Sequence, residues 1–169
     1  MYEKNILRSN LKKINNSTFD FSNENMQMLN NLLKGKKVCT YIPLNSEIHI
    51  NSYLTGYSEL QTTYINKGVL NVCIMQEPLV TNKFKIKEPS NIKKVLSTDI
   101  FLVPGLAFSR TGVRLGRGKG LYDKLLSNYP SSTKIGICSS KSLFDEIPRD
   151  EHDICMDYIF TENEYLKIH

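Results

Sequence analysis

The chain has 169 residues, 40% of them hydrophobic and 23% charged, with a formal net charge of +5 at pH 7. That length gives one domain room for a proper core, and the composition excludes a disordered, fibrous or membrane-spanning chain. Mild basicity suits an anionic ligand as well as it suits nucleic acid.

The first residues, Met-Tyr-Glu-Lys-Asn, carry no apolar leader segment. Four cysteines occur, Cys39, Cys73, Cys138 and Cys155, with no C-x-x-C pair, and three of them sit in apolar strand-like runs. Free thiols, no zinc site and a reducing, cytoplasmic compartment are expected.

Residues 3–14 read as a short helix, with Ile6, Leu7, Leu11 and Ile14 forming an apolar stripe. Lys4 and Arg8 are four apart and share one face, which on spacing alone is a solvated basic face. A second helix runs from about Asn23 to Lys34, buries Met28, Leu29, Leu32 and Leu33, and stops at Gly35. Val38–Pro43 is the first strand. A turn follows at Leu44-Asn45-Ser46, and Glu47 opens a helix through Tyr53 and Leu54, where a carboxylate is favoured by the helix dipole. Residues 60–65 and 69–75 are strands. Glu77-Pro78 and Lys87-Glu88-Pro89 read as turns, because proline pushes the residue before it out of the helical region. Ile92–Leu96 carries no decisive pattern.

Ile100–Pro104 is a strand, Gly120–Asn128 a helix and Lys134–Cys138 another strand, with a last strand in the tail. Strands alternating with helices over short connections predict a single α/β domain over residues 1–169: a three-layer, open, mostly parallel sheet with helices on both faces, Rossmann-like in topology but without the dinucleotide fingerprint.

One stretch concentrates the chemistry. Val103–Leu126 reads VPGLAFSRTGVRLGRGKGLYDKLL, with glycines at 105, 112, 116, 118 and 120 and with Arg110, Arg114, Arg117 and Lys119 among them. Glycines let a backbone approach a ligand closely. The following helix start favours an anion, and arginine can grip phosphate oxygens in pairs. This predicts a polyphosphate cradle, with Asp123 beside it as a Mg²⁺ ligand. The alternative is a flexible basic turn that brushes nucleic acid. A Walker A loop is excluded, because Val113 and Gly120 stand where Gly and Ser/Thr are needed. The dinucleotide fingerprint fails too, since Gly116, Gly118 and Gly120 are spaced two apart.

The run PGLAF…GVRLGRGKGLYDKLL strongly resembles the 5-formyltetrahydrofolate cyclo-ligases, also called 5,10-methenyltetrahydrofolate synthetases, whose pattern is P-G-x-x-F followed by G-x-R-L-G-x-G-x-G-Y-Y-D. The resemblance implies ATP- and Mg²⁺-dependent cyclisation of 5-formyltetrahydrofolate, with or without a polyglutamate tail, to 5,10-methenyltetrahydrofolate, by a cytoplasmic monomer with no membrane or nucleic-acid partner. The alternative within the family is an inactive member that binds nucleotide or RNA.

Carried over by position, the resemblance puts Lys4, Arg8, Arg114, Leu115, Gly116, Arg117, Gly118, Lys119, Gly120 and Tyr122 on ATP, with Arg114, Arg117 and Lys119 catalytic. It puts Arg8, Ile42, Glu47, Arg117, Lys119 and Leu121 on the folate, with Glu47 on the pterin. Asp123 and Asp153 become the metal carboxylates, with Asp157 as the competing assignment for the second. Three positions depart from the family pattern: Ser109 where Asp is usual, Leu121 where Tyr is usual, and Ser142 where the family often has Gln.

Overall fold

The central strands are buried on both faces, and successive residues along each strand meet different partners. The computed structural model describes residues 2–11, 20–82 and 86–168. Its elements are α1 (Tyr2–Leu11), α2 (Asn23–Leu33), β1 (Lys37–Thr40), β2 (Glu59–Asn66), β3 (Val69–Ile74), β4 (Leu79–Thr81), β5 (Lys87–Pro89), β6 (Ile100–Pro104), β7 (Ala107–Ser109), β8 (Arg114–Leu115), α3 (Leu121–Ser127), β9 (Thr133–Ile137), β10 (Leu143–Phe144), β11 (Tyr158–Phe160) and β12 (Tyr165–Lys167). The expected extension of the first helix to residue 14 lies outside the described residues.

The main sheet has seven strands in the order β12-β11-β9-β6-β1-β2-β3. Its five inner strands are parallel, and β3 and β12 close the edges antiparallel. Val38, Ile100, Leu102, Ile135, Ile137 and Phe160 pack with Leu29 and Leu33 of α2 on one face. Cys39, Phe101, Val103 and Ile159 pack with Leu125 and Leu126 of α3 on the other. The three-layer α/β architecture expected from the sequence is therefore the one observed. A smaller sheet, β10-β7-β8, forms a third cluster in which Ala107, Val113 and Leu115 meet Leu7 and Leu11 of α1.

Among the parallel strands, chain order is β1, β2, β6, β9, β11, but β1 lies between β2 and β6. The winding therefore reverses between β1 and β6. Ligands in open α/β sheets bind beyond the carboxyl ends of the strands at such a reversal. The two connections that leave those ends carry residues 41–50 and 105–120, which hold Glu47 and the glycine-rich basic loop.

Two expected elements differ. The helix from Glu47 is absent: residues 45–47 form a turn, and only Asn51–Tyr53 makes one 3-10 turn. Side-chain bonds brace this loop instead. The Tyr41 hydroxyl donates to the Ile48 carbonyl at 2.9 Å, Asn51 donates to the Tyr41 carbonyl at 2.9 Å, and Thr40 donates to the Asn51 amide oxygen at 2.6 Å. Ile48 and Ile50 are buried at alternate positions, as in extended chain. Likewise Lys87–Pro89 is the strand β5, paired with β4, and not a turn. Glu88 anchors it by accepting from the Ile65 amide at 3.3 Å and from Asn82 at 3.0 Å.

Phe108 explains two glycines by space alone. A Cβ on Gly136 would lie 2.6 Å from the Phe108 ring, and one on Gly105 would lie 2.8 Å from it. The ring is fully buried and cannot swing aside. Gly136→Ala should therefore lower stability by about 1–3 kcal/mol through overpacking. Urea unfolding measures it, and Phe108→Leu in the same background should recover part of the loss.

Candidate active site at the carboxyl rim

Glycines make the basic loop, and two of them set how it meets α3 and Arg114. Gly120 caps α3 with φ 61°, a left-handed conformation that costs a side-chain-bearing residue energy. Gly116 lies against the Arg114 guanidinium: a Cβ there would be 2.6 Å from Arg114 Nη1. The loop is thus shaped around a charged side chain rather than around an apolar one.

Arg114 is only 7% exposed. It leaves β8, donates from Nη2 to Asp123 Oδ2 at 2.8 Å, and its guanidinium carbon sits 5.4 Å from the centre of the Tyr122 ring. Its Nε is buried with no hydrogen-bond partner. A buried, unpaired guanidinium N–H is costly in a finished core and useful in a site that awaits an anion. Tyr122 is a support beneath this group. Its hydroxyl bonds to Thr63 of β2, and burial pushes its pKa far up, with Cys39 adding to the rise and the Thr63 bond opposing it.

The N-terminal helix reaches the same place. Lys4 is 2% exposed, and its Nζ bonds to Asp150 at 2.8 Å and to Asp153. Arg8 donates from Nε to the Gly116 carbonyl at 2.9 Å, and its guanidinium lies 3.6 Å from where a Gly118 Cβ would be. Lys4 and Arg8 share one helix face with Leu7 and Leu11, so α1 turns a single face, basic and apolar together, onto the basic loop, the acidic tail and the small sheet, and the solvated basic face expected from spacing alone does not form.

Burial acts to lower the Lys4 pKa, and the bonds and charges of Asp150 and Asp153 together outweigh it, so the net shift is upward. The hydrogen bond from Lys4 and its charge hold Asp150 below the usual carboxylate value. Each shift makes stability depend on pH with its own sign. The Lys4 contribution is complete below its unfolded value of 10.5 and is lost as pH rises through the higher folded one. The Asp150 contribution is complete above 3.8 and is lost as pH falls through the lower folded value. Asp150 is half-exposed, so solvent screens its share.

Asp123 and Asp153 are neighbours across the fold, since the amide of Ile154, next after Asp153, points at Asp123 Oδ1 at 3.5 Å. Asp157 is elsewhere. Its carboxylate accepts from the Lys134 amide at 2.7 Å at the amino ends of β9 and β11, on the opposite rim. No group of three or more His, Cys, Asp and Glu gathers among the described residues. Two carboxylates beside lysine and arginine side chains suited to phosphate make a donor set that fits Mg²⁺, which keeps water and phosphate oxygens as its other ligands.

On the β1 side, Glu47 closes its turn by accepting from the Leu44 amide at 3.0 Å, and its other oxygen lies 3.5 Å from Arg117 Nε. Arg117 also donates to the Ser46 hydroxyl at 2.7 Å. Ile42 is half-buried just beyond β1, Leu121 is half-buried at the start of α3 within the second core cluster, and Lys119 is exposed on the loop. A narrow pocket lined by Tyr41, Glu47, Ile48, Pro104, Gly105, Ile137 and Cys138 opens at the strand reversal. A larger cavity, about 400 Å³, lies at the opposite rim among Lys36, Asp99, Ser132 and Thr133, and none of the expected site residues lines it.

Sequence reading missed Asp150 and Ser46, the partners of Lys4 and Arg117. Nothing local signals either, beyond Asp150 lying in the acidic tail and Ser46 preceding Glu47. Of the three departures from the family pattern, Ser109 is clearly structural. Its hydroxyl accepts from the Val113 amide at 3.0 Å and holds the turn before β8. Ser142 is buried in a short 3-10 turn.

The protein is of the open α/β class, with a glycine-rich cationic loop, a basic helix face and two carboxylates gathered at its strand reversal. A profile of the 5-formyltetrahydrofolate cyclo-ligase family matches residues 2–162. The chain is 30% identical over 145 residues to a 5-formyltetrahydrofolate cyclo-ligase of Mycolicibacterium smegmatis, covering 76% of this chain and 75% of that one. It is 38% identical over 156 residues to a probable 5-formyltetrahydrofolate cyclo-ligase of Caenorhabditis elegans, covering 79% and 76%. The NMR structure of Aquifex aeolicus 5,10-methenyltetrahydrofolate synthetase superposes with a TM-score of 0.76 at 30% identity, over 98% of this chain and 92% of that one. The Mycoplasma pneumoniae 5,10-methenyltetrahydrofolate synthetase, at 22% identity and TM-score 0.63, shares the fold. The chain belongs to the 5-formyltetrahydrofolate cyclo-ligase family, a family of enzymes.

The Arg114–Asp123 pair makes a stability prediction. Removing the carboxylate strands a buried cation, so Asp123→Ala should cost about 3 kcal/mol, read by urea unfolding. Asp123→Asn, whose amide oxygen still accepts, should cost clearly less. Asn is therefore the cleaner substitution for testing function at this position.

Proposed function

We propose that the protein is an ATP-dependent 5-formyltetrahydrofolate cyclo-ligase that forms 5,10-methenyltetrahydrofolate and releases ADP and phosphate. The observation that carries this reading is the pairing of Arg114 with Asp123 and of Lys4 with Asp153 at the carboxyl rim, with Arg114 Nε buried and unpartnered. Buried cations matched to carboxylates suit a bound metal–nucleotide: the carboxylates turn to the cation, and the released cations turn to the phosphates.

In this reading Arg114, Arg117 and Lys119 hold the triphosphate, the backbone from Leu115 to Gly120 wraps it, and Lys4 and Arg8 close on it from α1. Tyr122 steadies Arg114 from below. Asp123 and Asp153 would hold Mg²⁺, whose contribution is to neutralise charge on the β- and γ-phosphate oxygens. Glu47 accepts hydrogen bonds from the amino-pyrimidinone edge of the folate, with Ile42 and Leu121 as apolar walls.

The formyl oxygen then attacks the terminal phosphorus and ADP leaves. N10 closes on the activated formyl carbon, and phosphate departs with the N10 proton. No protein nucleophile is required. The residues position two reactants and stabilise charge on the moving phosphoryl group, which is the main catalytic demand of such transfers. The thiols Cys39, Cys73, Cys138 and Cys155 are free, which suits a reducing cytoplasm, and the working unit in this reading is a monomer.

The test is the growth of methenyl-folate absorbance with ATP and Mg²⁺. Wild type should turn over, and Lys119→Ala should lose at least about tenfold in kcat, in line with loss of one preorganised charge contact. Inert wild-type protein that still binds nucleotide would instead mark an inactive family member.

Leu121→Tyr restores a ring that can stack on the pterin. Such contacts are worth about 0.5–1.5 kcal/mol, so the folate KM should fall by a factor of about 2 to 12, with kcat little changed. An unchanged KM would remove Leu121 from the folate site.

A further inference from the structure

Both oxygens of Glu47 are engaged by groups of the chain itself. Oε2 accepts from the Leu44 amide, and the Glu47 amide returns a bond to the Leu44 carbonyl at 2.8 Å, so the carboxylate is locked onto its own turn. Oε1 faces Arg117 Nε at 3.5 Å, and the Glu47 side chain is only 12% exposed. Arg117 reaches across from the basic loop and takes the Ser46 hydroxyl as well. The turn after β1 and the tip of the loop between β8 and α3 are thus clasped by one guanidinium, across the strand reversal.

That clasp competes with both substrates at once. An amino-pyrimidinone edge needs the outward side of the Glu47 carboxylate, and a polyphosphate needs the Arg117 guanidinium. Arg117 Nε stands in front of Glu47 Oε1, so an amino-pyrimidinone edge approaching that oxygen and a polyphosphate drawing the guanidinium outward both pull against the clasp. Arg117 is 40% exposed and stands between Gly116 and Gly118, the latter at φ 96°, so it can leave without dragging core side chains.

On the cyclo-ligase reading above, we infer that Arg117 is a coupling residue: nucleotide draws its guanidinium off Glu47 and Ser46, and so frees the carboxylate for the folate. Folate arriving alone must break the clasp by itself. Folate arriving after nucleotide finds it already open. By reciprocity, folate tightens nucleotide binding by the same factor. Each substrate thereby favours arrival of the other, and solitary binding of either is held weak. Ser46 acts through Arg117 as a positioning residue.

Calorimetric titration of 5-formyltetrahydrofolate tests this, with and without Mg²⁺ and a non-hydrolysable ATP analogue. The chain has no tryptophan, which removes the usual fluorescence readout. Wild type should bind folate about 5- to 20-fold more tightly with the analogue than without it. Arg117→Met keeps length and removes charge. It should bind folate alone as tightly as wild type binds it with nucleotide, and the analogue should then change nothing. Ser46→Ala should move folate affinity in the same direction by a smaller factor.

Wild-type affinity that is indifferent to the analogue would overturn the coupling and leave the cyclo-ligase reading intact. So would an Arg117→Met protein that binds folate more weakly with and without nucleotide alike, since Arg117 would then be a plain folate contact. Wild type that binds nucleotide but no folate at all would sink the cyclo-ligase reading itself.

Discussion

The structure depends on matching cations that crowd one rim of the sheet with carboxylates from other elements. Lys4, Arg8, Arg114 and Arg117 converge there from a helix, a short strand and a loop. Lys4 and Arg114 are almost completely buried. Burying an ammonium or a guanidinium is costly unless it is paired. Each finds its partner far along the chain or across a loop: Lys4 on Asp150 and Asp153, Arg114 on Asp123, Arg117 on Glu47. These pairs tie α1 to the acidic tail, β8 to α3, and the first loop to the basic loop. The same contacts that let the charges be buried also assemble the site.

The arrangement has a functional corollary. On the proposed function, a site made of paired opposite charges suits a ligand that is itself a pair, a divalent cation on a polyphosphate. Such a ligand would exchange partners with the protein and leave no charge stranded. A lone anion would displace carboxylates into the cleft without a counter-charge. The preference for two carboxylates and several cations, in place of a cage of three or more ligands, follows from that exchange.

How much could be read beforehand depends on the range over which the signal acts. The buried strands β1, β6 and β9 were legible because their apolar runs are short and bounded by turn residues. The loop 105–120 was legible because glycine and arginine interleave there as ordinary surface does not. The stretch 47–54 misled, because Tyr41, Thr40 and Asn51 satisfy its backbone from outside and so remove the need for a helix. Glu88-Pro89 misled because residues 79–81 come back to pair with it as β4, a partner that no local pattern announces. The ion pairs were not legible at all. Lys4 and Asp153 are 149 positions apart, and local spacing carries no trace of such a contact. The family resemblance named most of these residues, but not which would hold which.

The central claim is that the glycine-rich basic loop and the carboxylate pair beside it receive one metal–nucleotide at the reversal between β1 and β6. A crystal structure with Mg²⁺ and a non-hydrolysable ATP analogue tests it most directly. The account predicts the terminal phosphates on Arg114 and Lys119, with the metal between them and Asp123 and Asp153. Nucleotide bound instead in the larger cavity at the opposite rim, beside Asp99 and Ser132, with Arg114 still on Asp123, would contradict it.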